Sequence, residues 1–166
     1  MRIYTFSGKN IYFCRKTETM LSKKTRYAML ALCVLAREYG KTPVPIGRIA
    51  DAERIPQRFL EGILLVLKNR GLLGSTRGKT GGYYLVKRPD DVSLFDVVVG
   101  FEESVGMLAC VCENGYRPCE FCKDETTCPI RAAFSEIYRS TADILRRTTL
   151  SDLASRPEKA GDTLNI

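Results

Sequence analysis

Between Ser22 and Val86 the chain sets three short amphipathic helices in front of a glycine-rich hairpin, and that order leaves few folds open. Tyr27, Leu30, Ala31, Val34 and Leu35 recur at steps of three and four, one face of a helix, and Gly40 closes the segment. A second, shorter helix follows Pro43-Val44-Pro45, with Ile46, Ile49 and Ala50 on one face. Ile55-Pro56 opens a third, with proline at its first position, where no intrahelical N–H bond is lost. Its apolar face is Phe59, Leu60, Ile63, Leu64 and Leu67, and Gly71 ends it. Two helices joined by so short a turn have helix-turn-helix spacing. The runs 72–76 and 83–86 then flank Arg77-Gly78-Lys79-Thr80-Gly81-Gly82, which predicts paired strands with a basic tip. That tip suits phosphate contact as a wing. It is not a nucleotide cradle, because the GxxxxGK[ST] spacing is absent and no helix follows the glycines.

The second half reads differently. Ser93 and Asp96 have capping-box form and start a helix running toward Phe101. Residues 110–128 form a loop rich in Cys, Glu, Gly and Pro. A long helix follows, from about 129 to 148, with the stripe Ile130, Ala133, Phe134, Ile137, Thr141, Ile144 and Leu145. A stripe of that length needs something to pack on, either a partner helix or its own domain. Thr149 to Asp152 repeats the capping pattern for a last short turn. The expected fold is mainly α with a small β-hairpin: a winged helix-turn-helix plus a long C-terminal dimerisation helix. The expected divisions are an extension at 1–19, the winged domain at 20–92 and a linking helix with the cysteine-rich loop at 93–128. The dimerisation helix and final turn occupy 129–155, and a frayed tail 156–166. The extension carries two aromatic clusters that suit a small hairpin, a mobile segment or an upstream start, with Met20 the alternative start.

Charge divides along the same line. Residues 1–88 carry 18 basic and 5 acidic side chains, and residues 89–166 carry 8 and 14, so the winged half is the polyanion-facing half. With the third helix's apolar face inward, Arg58, Glu61, Gly62, Leu65 and Asn69 point outward, and Gln57 lies at the boundary. Arg can bond guanine O6 and N7 together, Gln suits adenine, and Glu can accept from cytosine N4. Lys23, Lys24, Arg26, Arg48, Lys68, Arg70 and Lys79 suit phosphates, and Arg77 at the tip suits the minor groove. Leu65 is the discord on that face: it touches a thymine methyl or the helical register is off.

Histidine is absent from the chain, which excludes Ser-His-Asp and Cys-His nucleophile systems and His-ligated zinc hydrolase sites. No run approaches the ~20 apolar residues of a membrane helix, and residues 1–19 lack a signal-peptide core. The expectation is a cytoplasmic protein without membrane contact. Five of its seven cysteines fall within 110–128: Cys110, Cys112, Cys119, Cys122 and Cys128. In a reducing compartment such clustering points to metal or redox chemistry rather than disulfides. Thiolates are soft ligands that suit iron–sulfur clusters and zinc. An enzyme reading, a thiol-disulfide or electron-transfer protein built on Cys119 and Cys122, leaves the basic half unexplained. Cys33, within the first helix, reads as a core residue.

The order of motifs resembles the Rrf-two family of winged-helix transcription regulators. The resemblance is carried by residues 20–28, 55–64, 67–73, 77–85, 92–97 and 149–153. It implies a homodimer on the long C-terminal helix, bound to palindromic double-stranded operator DNA and usually repressing. It places the recognition-helix start and wing arginine on Gln57, Arg58, Glu61 and Arg77. Cluster-binding members carry three cysteines in this region, matched here by Cys110, Cys122 and Cys128. Their fourth ligand is often histidine or an acid, but Arg131 and Arg26 stand at those positions, and neither can serve. Cys119 or Cys112 is then the further ligand. An iron–sulfur cluster, a structural zinc and metal-free thiol switching remain the alternatives.

Overall fold

Ser22 begins the fold by a local competition that a helix start wins: its Oγ accepts the Thr25 amide at 3.3 Å and caps α1, Lys23–Arg37. The computed structural model describes residues 21–78, 80–102 and 104–156. Expectations for the N-terminal extension, Lys79 and the tail beyond Arg156 lie outside them. Helix α2, Ile46–Glu53, ends in a left-handed Arg54 at φ 52°, the tight turn of the helix-turn-helix. Helix α3, Gln57–Asn69, buries Leu60, Ile63, Leu64 and Leu67 against Ala28, Leu32 and Leu35 of α1 and Ile49 of α2.

Two boundary expectations shift. Pro56 is the N-cap of α3 rather than its first helical residue, and its carbonyl accepts the amides of Phe59 and Leu60. Phe59, read as part of the apolar face, is exposed at the margin, with its ring edge-on to Tyr27 at 5.6 Å.

Strands β1, Leu73–Thr76, and β2, Gly82–Leu85, pair antiparallel with Leu73 opposite Leu85 and Thr76 opposite Gly82. A further rung joins them to the other end of the domain. Val44 and Tyr83 exchange both backbone hydrogen bonds at 2.9 Å, so the segment that reads as a lead-in to α2 also completes the wing. Gly82 is required there, since a Cβ would overlap the Val44 carbonyl.

The C-terminal half returns to this domain by a paired device. Helices α4, Leu94–Val98, and α6, Leu150–Ser155, each begin with a capping box, Ser93 with Asp96 and Thr149 with Asp152. The two caps lie side by side: Leu94 N–H donates to Thr148 O at 2.9 Å and Leu150 N–H to Val92 O at 2.8 Å. Val92, Val97 and Leu150 thereby join the core under α1.

Between them runs α5, Pro129–Arg147, about 28 Å long at 1.5 Å per residue. It buries Tyr138 and Ala142 toward its own chain, and Arg146 clamps it by lying 4.4 Å over the Phe95 ring and 2.6 Å from Glu113. The stripe faces elsewhere. Ile130, Ala133, Ile137 and Ile144 are exposed, and Phe134, Thr141 and Leu145 are half-buried. The stripe is thus partly covered by its own chain, at Phe134, Thr141 and Leu145, and otherwise open.

Candidate nucleic-acid interface and cysteine cavity

The outer face of α3 carries Gln57, Arg58, Glu61 and Leu65, all exposed. The predicted register therefore holds, and Leu65, 56% exposed, lies outward as an apolar group beside Arg58 and Glu61. Lys24 of α1 meets this face: with Arg58, Phe59, Gly62 and Phe101 it lines a groove of about 430 Å³. Arg26 is not brought there. Two residues further along α1, it lies with Leu30, Cys33, Arg37 and Leu153 in a groove beside α6. Arg77 is exposed at the hairpin tip, where Gly78 turns at φ 110°.

Three other basic side chains are partly committed within the protein. Lys68 donates to Ser75 Oγ at 2.8 Å, bracing α3 against the wing; Arg48 pairs with Glu38 at 3.3 Å; Arg70 donates to Val99 O at 3.4 Å. Being exposed, all three still present charge outward, and surface pairs of this kind hold weakly.

Glu102 holds the N-terminus of α1 and had no signal in the sequence. Its Oε1 accepts the Ser22 amide at 2.7 Å and the hydroxyl of fully buried Thr25. Burial works against the charge, but these donors outweigh it and hold the carboxyl below its ordinary value.

The cysteines divide into two environments. Cys110, Cys119, Cys122 and Cys128 line one cavity of about 450 Å³, walled by Leu108, Phe121 and Ile130. Cys112 is not on that cavity. It is 5% exposed on the far side of a short turn, where its thiol donates to Leu108 O at 3.0 Å and accepts from Ser104 Oγ at 2.7 Å. Among the described residues no three cysteine or carboxylate side chains are drawn together closely enough to hold a metal ion as they stand. The donor set still suits a thiophilic centre in kind and number, with four sulfurs on one cavity and no imidazole.

Cys128 is the N-cap of α5, and its Sγ accepts the Arg131 amide at 3.5 Å. That bond, with a further one from the Cys122 thiol, holds Cys128 below the usual thiol range. Cys122, the donor in the pair, is pushed up. Arg131 braces the cavity rather than ligating: its Nε donates to Cys110 O at 3.1 Å and lies 3.8 Å from Glu125. Glu125 in turn accepts from the Tyr116 hydroxyl at 2.6 Å, which raises the tyrosine's pKa. Cys33 is buried in α1, as read from the sequence, and burial raises its thiol.

A three-helix core with a hydrogen-bonded wing, an exposed recognition-helix face and a projecting late helix defines a winged helix-turn-helix DNA-binding transcriptional regulator. The comparisons narrow the class. The family model Rrf2, iron-dependent transcriptional regulator, matches residues 21–156, and the chain belongs to that family. An rrf2-like HTH-type transcriptional regulator of Rhodobacter capsulatus is 36% identical over 148 residues, covering 87% of this chain and 99% of that one. The regulator IscR of Erwinia tasmaniensis is 29% identical over 138 residues, 83% and 80% of the two chains. Among solved structures, CymR, the global cysteine regulator of Bacillus subtilis, superimposes with a TM-score of 0.69 at 29% identity, covering 83% of this chain and 98% of that one. These relatives are regulators, not enzymes. No helix of the described residues is long and apolar enough to cross a membrane.

Proposed function

We propose that this chain acts in the cytoplasm as a homodimeric repressor of palindromic operator DNA. Its operator affinity is set by an iron–sulfur cluster held on the loop cysteines, or by their redox state. The observation that carries the reading is the single cavity onto which four thiols open at the N-terminus of α5. Cys110, Cys122 and Cys128 are the proposed core ligands, with Cys119 or Cys112 as the further one. A bound cluster supplies reversible electron and ligand exchange that the side chains lack. The protein's own residues position the thiols: Arg131 fixes the Cys110 backbone to α5, and the N-cap fixes Cys128.

On DNA, the proposed roles are base contact for Gln57, Arg58 and Glu61, minor-groove entry for Arg77, and phosphate contact for Lys24 and Lys79, while Arg26, beside α6, is left out of the interface. The exposed α5 stripe is the proposed dimer seam, which sets two α3 helices against two half-sites. Linkage between the sites runs through the segment after α4. One end carries Glu102 on the α1 N-terminus, and the other enters the cysteine loop.

The test is anaerobic purification with visible absorption and analysis for iron, sulfide and zinc, followed by gel shift on genomic fragments. Iron and sulfide together, with specific and steeply salt-dependent DNA binding that differs between loaded and apo protein, support the proposal. A colourless protein with stoichiometric zinc, or binding indifferent to loading, defeats the sensing half. Absence of duplex binding defeats the regulator.

A further inference from the structure

Five cysteines compete for four places in a thiolate site, and the fold separates them by what each sulfur already does. Cys110 and Cys128 are held at opposite ends of the loop, one through its carbonyl to Arg131 and the other as the α5 N-cap. Cys122 donates its thiol to Asp124 O at 3.2 Å, within the cavity lining itself, so the bond keeps its sulfur on the cavity. Its amide also donates to Cys119 O at 3.2 Å, so Cys119 and Cys122 close one tight turn on the cavity rim. Cys119 is exposed, on a stretch with no helix or strand, where the chain can advance a sulfur without breaking packing.

Cys112 has the opposite situation. Its thiol is satisfied as donor by Leu108 O and as acceptor by Ser104 Oγ. The backbone at Gly106 lies so close that a Cβ there would overlap the Cys112 sulfur. To reach the cavity it would have to abandon both bonds and unpack the turn carrying Cys110, a neighbouring ligand. The two carboxylates on the cavity are committed as well. Asp124 accepts from Thr126 and Thr127, and Glu125 from Tyr116. As hard oxygen donors they also suit iron–sulfur chemistry less than a thiolate does.

We propose that Cys119 is the fourth ligand, giving an all-thiolate site of Cys110, Cys119, Cys122 and Cys128, and that Cys112 is a structural thiol. This deepens the proposed function and rests on it. A ligand set without imidazole is anionic and carries no nitrogen-bound proton, so the centre's redox behaviour lacks the pH coupling that a histidine ligand introduces.

The experiment uses the full chain, reconstituted anaerobically with ferrous iron and sulfide, and reads iron and sulfide content, visible and paramagnetic spectra, and thiol protection. Wild type and Cys112→Ala are expected to load alike with matching spectra. Cys119→Ala is expected to show altered spectra and to lose iron to a chelator about 10–100-fold faster. Iodoacetamide mass mapping supplies a readout independent of folding in the variants. Loading the wild type is expected to protect Cys119 and to leave the reactivity of Cys112 unchanged. A Cys119→Ala protein indistinguishable from wild type, or Cys119 equally alkylated in loaded and apo protein, overturns the assignment while leaving the cluster reading intact. A wild-type chain that takes up no iron overturns both.

Discussion

Glu102 caps a helix that began eighty residues earlier: its carboxylate accepts the Ser22 amide at 2.7 Å and, through the same oxygen, the hydroxyl of buried Thr25. The contact lies where α1 presents Lys24 to the recognition face and where the chain leaves α4 for the cysteine loop. A charge-assisted bond to a helix start is stabilising both as a cap and against the helix dipole. Removing it leaves the Ser22 amide without its acceptor and the buried Thr25 hydroxyl with Ser22 Oγ, at 3.0 Å, alone. Glu102→Ala is expected to cost about 1–3 kcal/mol of stability in denaturant melts.

The pH dependence follows from the same bond. Because the folded-state pKa of Glu102 is depressed, its contribution is complete above the unfolded carboxylate range and is lost as pH falls through the folded value. Melts between neutral and acid pH should therefore show a shallower acid loss in Glu102→Gln than in wild type. Parallel profiles would remove Glu102 from the account of α1.

The winged domain was legible because its information is local: helical spacing, caps and turn glycines all act within a few residues. Both capping boxes and the α3 register could be read that way. What stayed hidden depends on residues distant in sequence. The Val44–Tyr83 rung, the pairing of the two caps and the Glu102 contact each join segments about 40 to 80 residues apart, and no periodicity reports them. The cysteine site was half legible. Spacing identified the cluster, but only burial and hydrogen bonding separate Cys112 from Cys119. Arg131 read simply as a residue unable to ligate, whereas it braces Cys110.

Lys24 and Arg58 share one groove but suit different parts of a duplex. Arg58→Ala should weaken operator binding by about 1–3 kcal/mol and relax preference at a single base pair. Lys24→Ala should weaken all sequences alike and lower the salt slope by about one. Titrations by fluorescence anisotropy at several salt concentrations, on operator and scrambled duplexes, separate the two. Equal loss on both duplexes for Arg58→Ala would remove it from base readout.

Ile137 and Ile144 are 44% and 50% exposed on α5, two turns apart, while Tyr138 and Ala142 on the other side are buried. In a two-fold seam each substitution counts twice, and a buried charge there has no partner. Ile137→Glu is expected to convert a dimer to a monomer in sedimentation velocity while leaving the circular dichroism of the winged domain unchanged. A variant that remains dimeric at micromolar concentration would place the seam elsewhere.

Phe121 stands between Cys119 and Cys122 and is 94% exposed, yet it walls the cysteine cavity with Leu108 and Ile130. An aromatic ring left in water at that position brings little to the stability of the chain alone. Its value lies in what it shields, since an apolar wall beside thiolates limits the access of water and dioxygen and sets the local polarity. On the proposed cluster reading, Phe121→Ser should therefore fold and load iron and sulfide to the same extent as the unsubstituted chain. Its visible absorption should decay roughly tenfold faster in air, the scale on which groups around a metal's ligands act. The anaerobic spectrum should be little changed, because no ligand has been removed. An equal decay rate would show that the ring does not cover the centre. A loss of iron under anaerobic conditions would mean that it helps to shape the Cys119–Cys122 turn rather than to shield it.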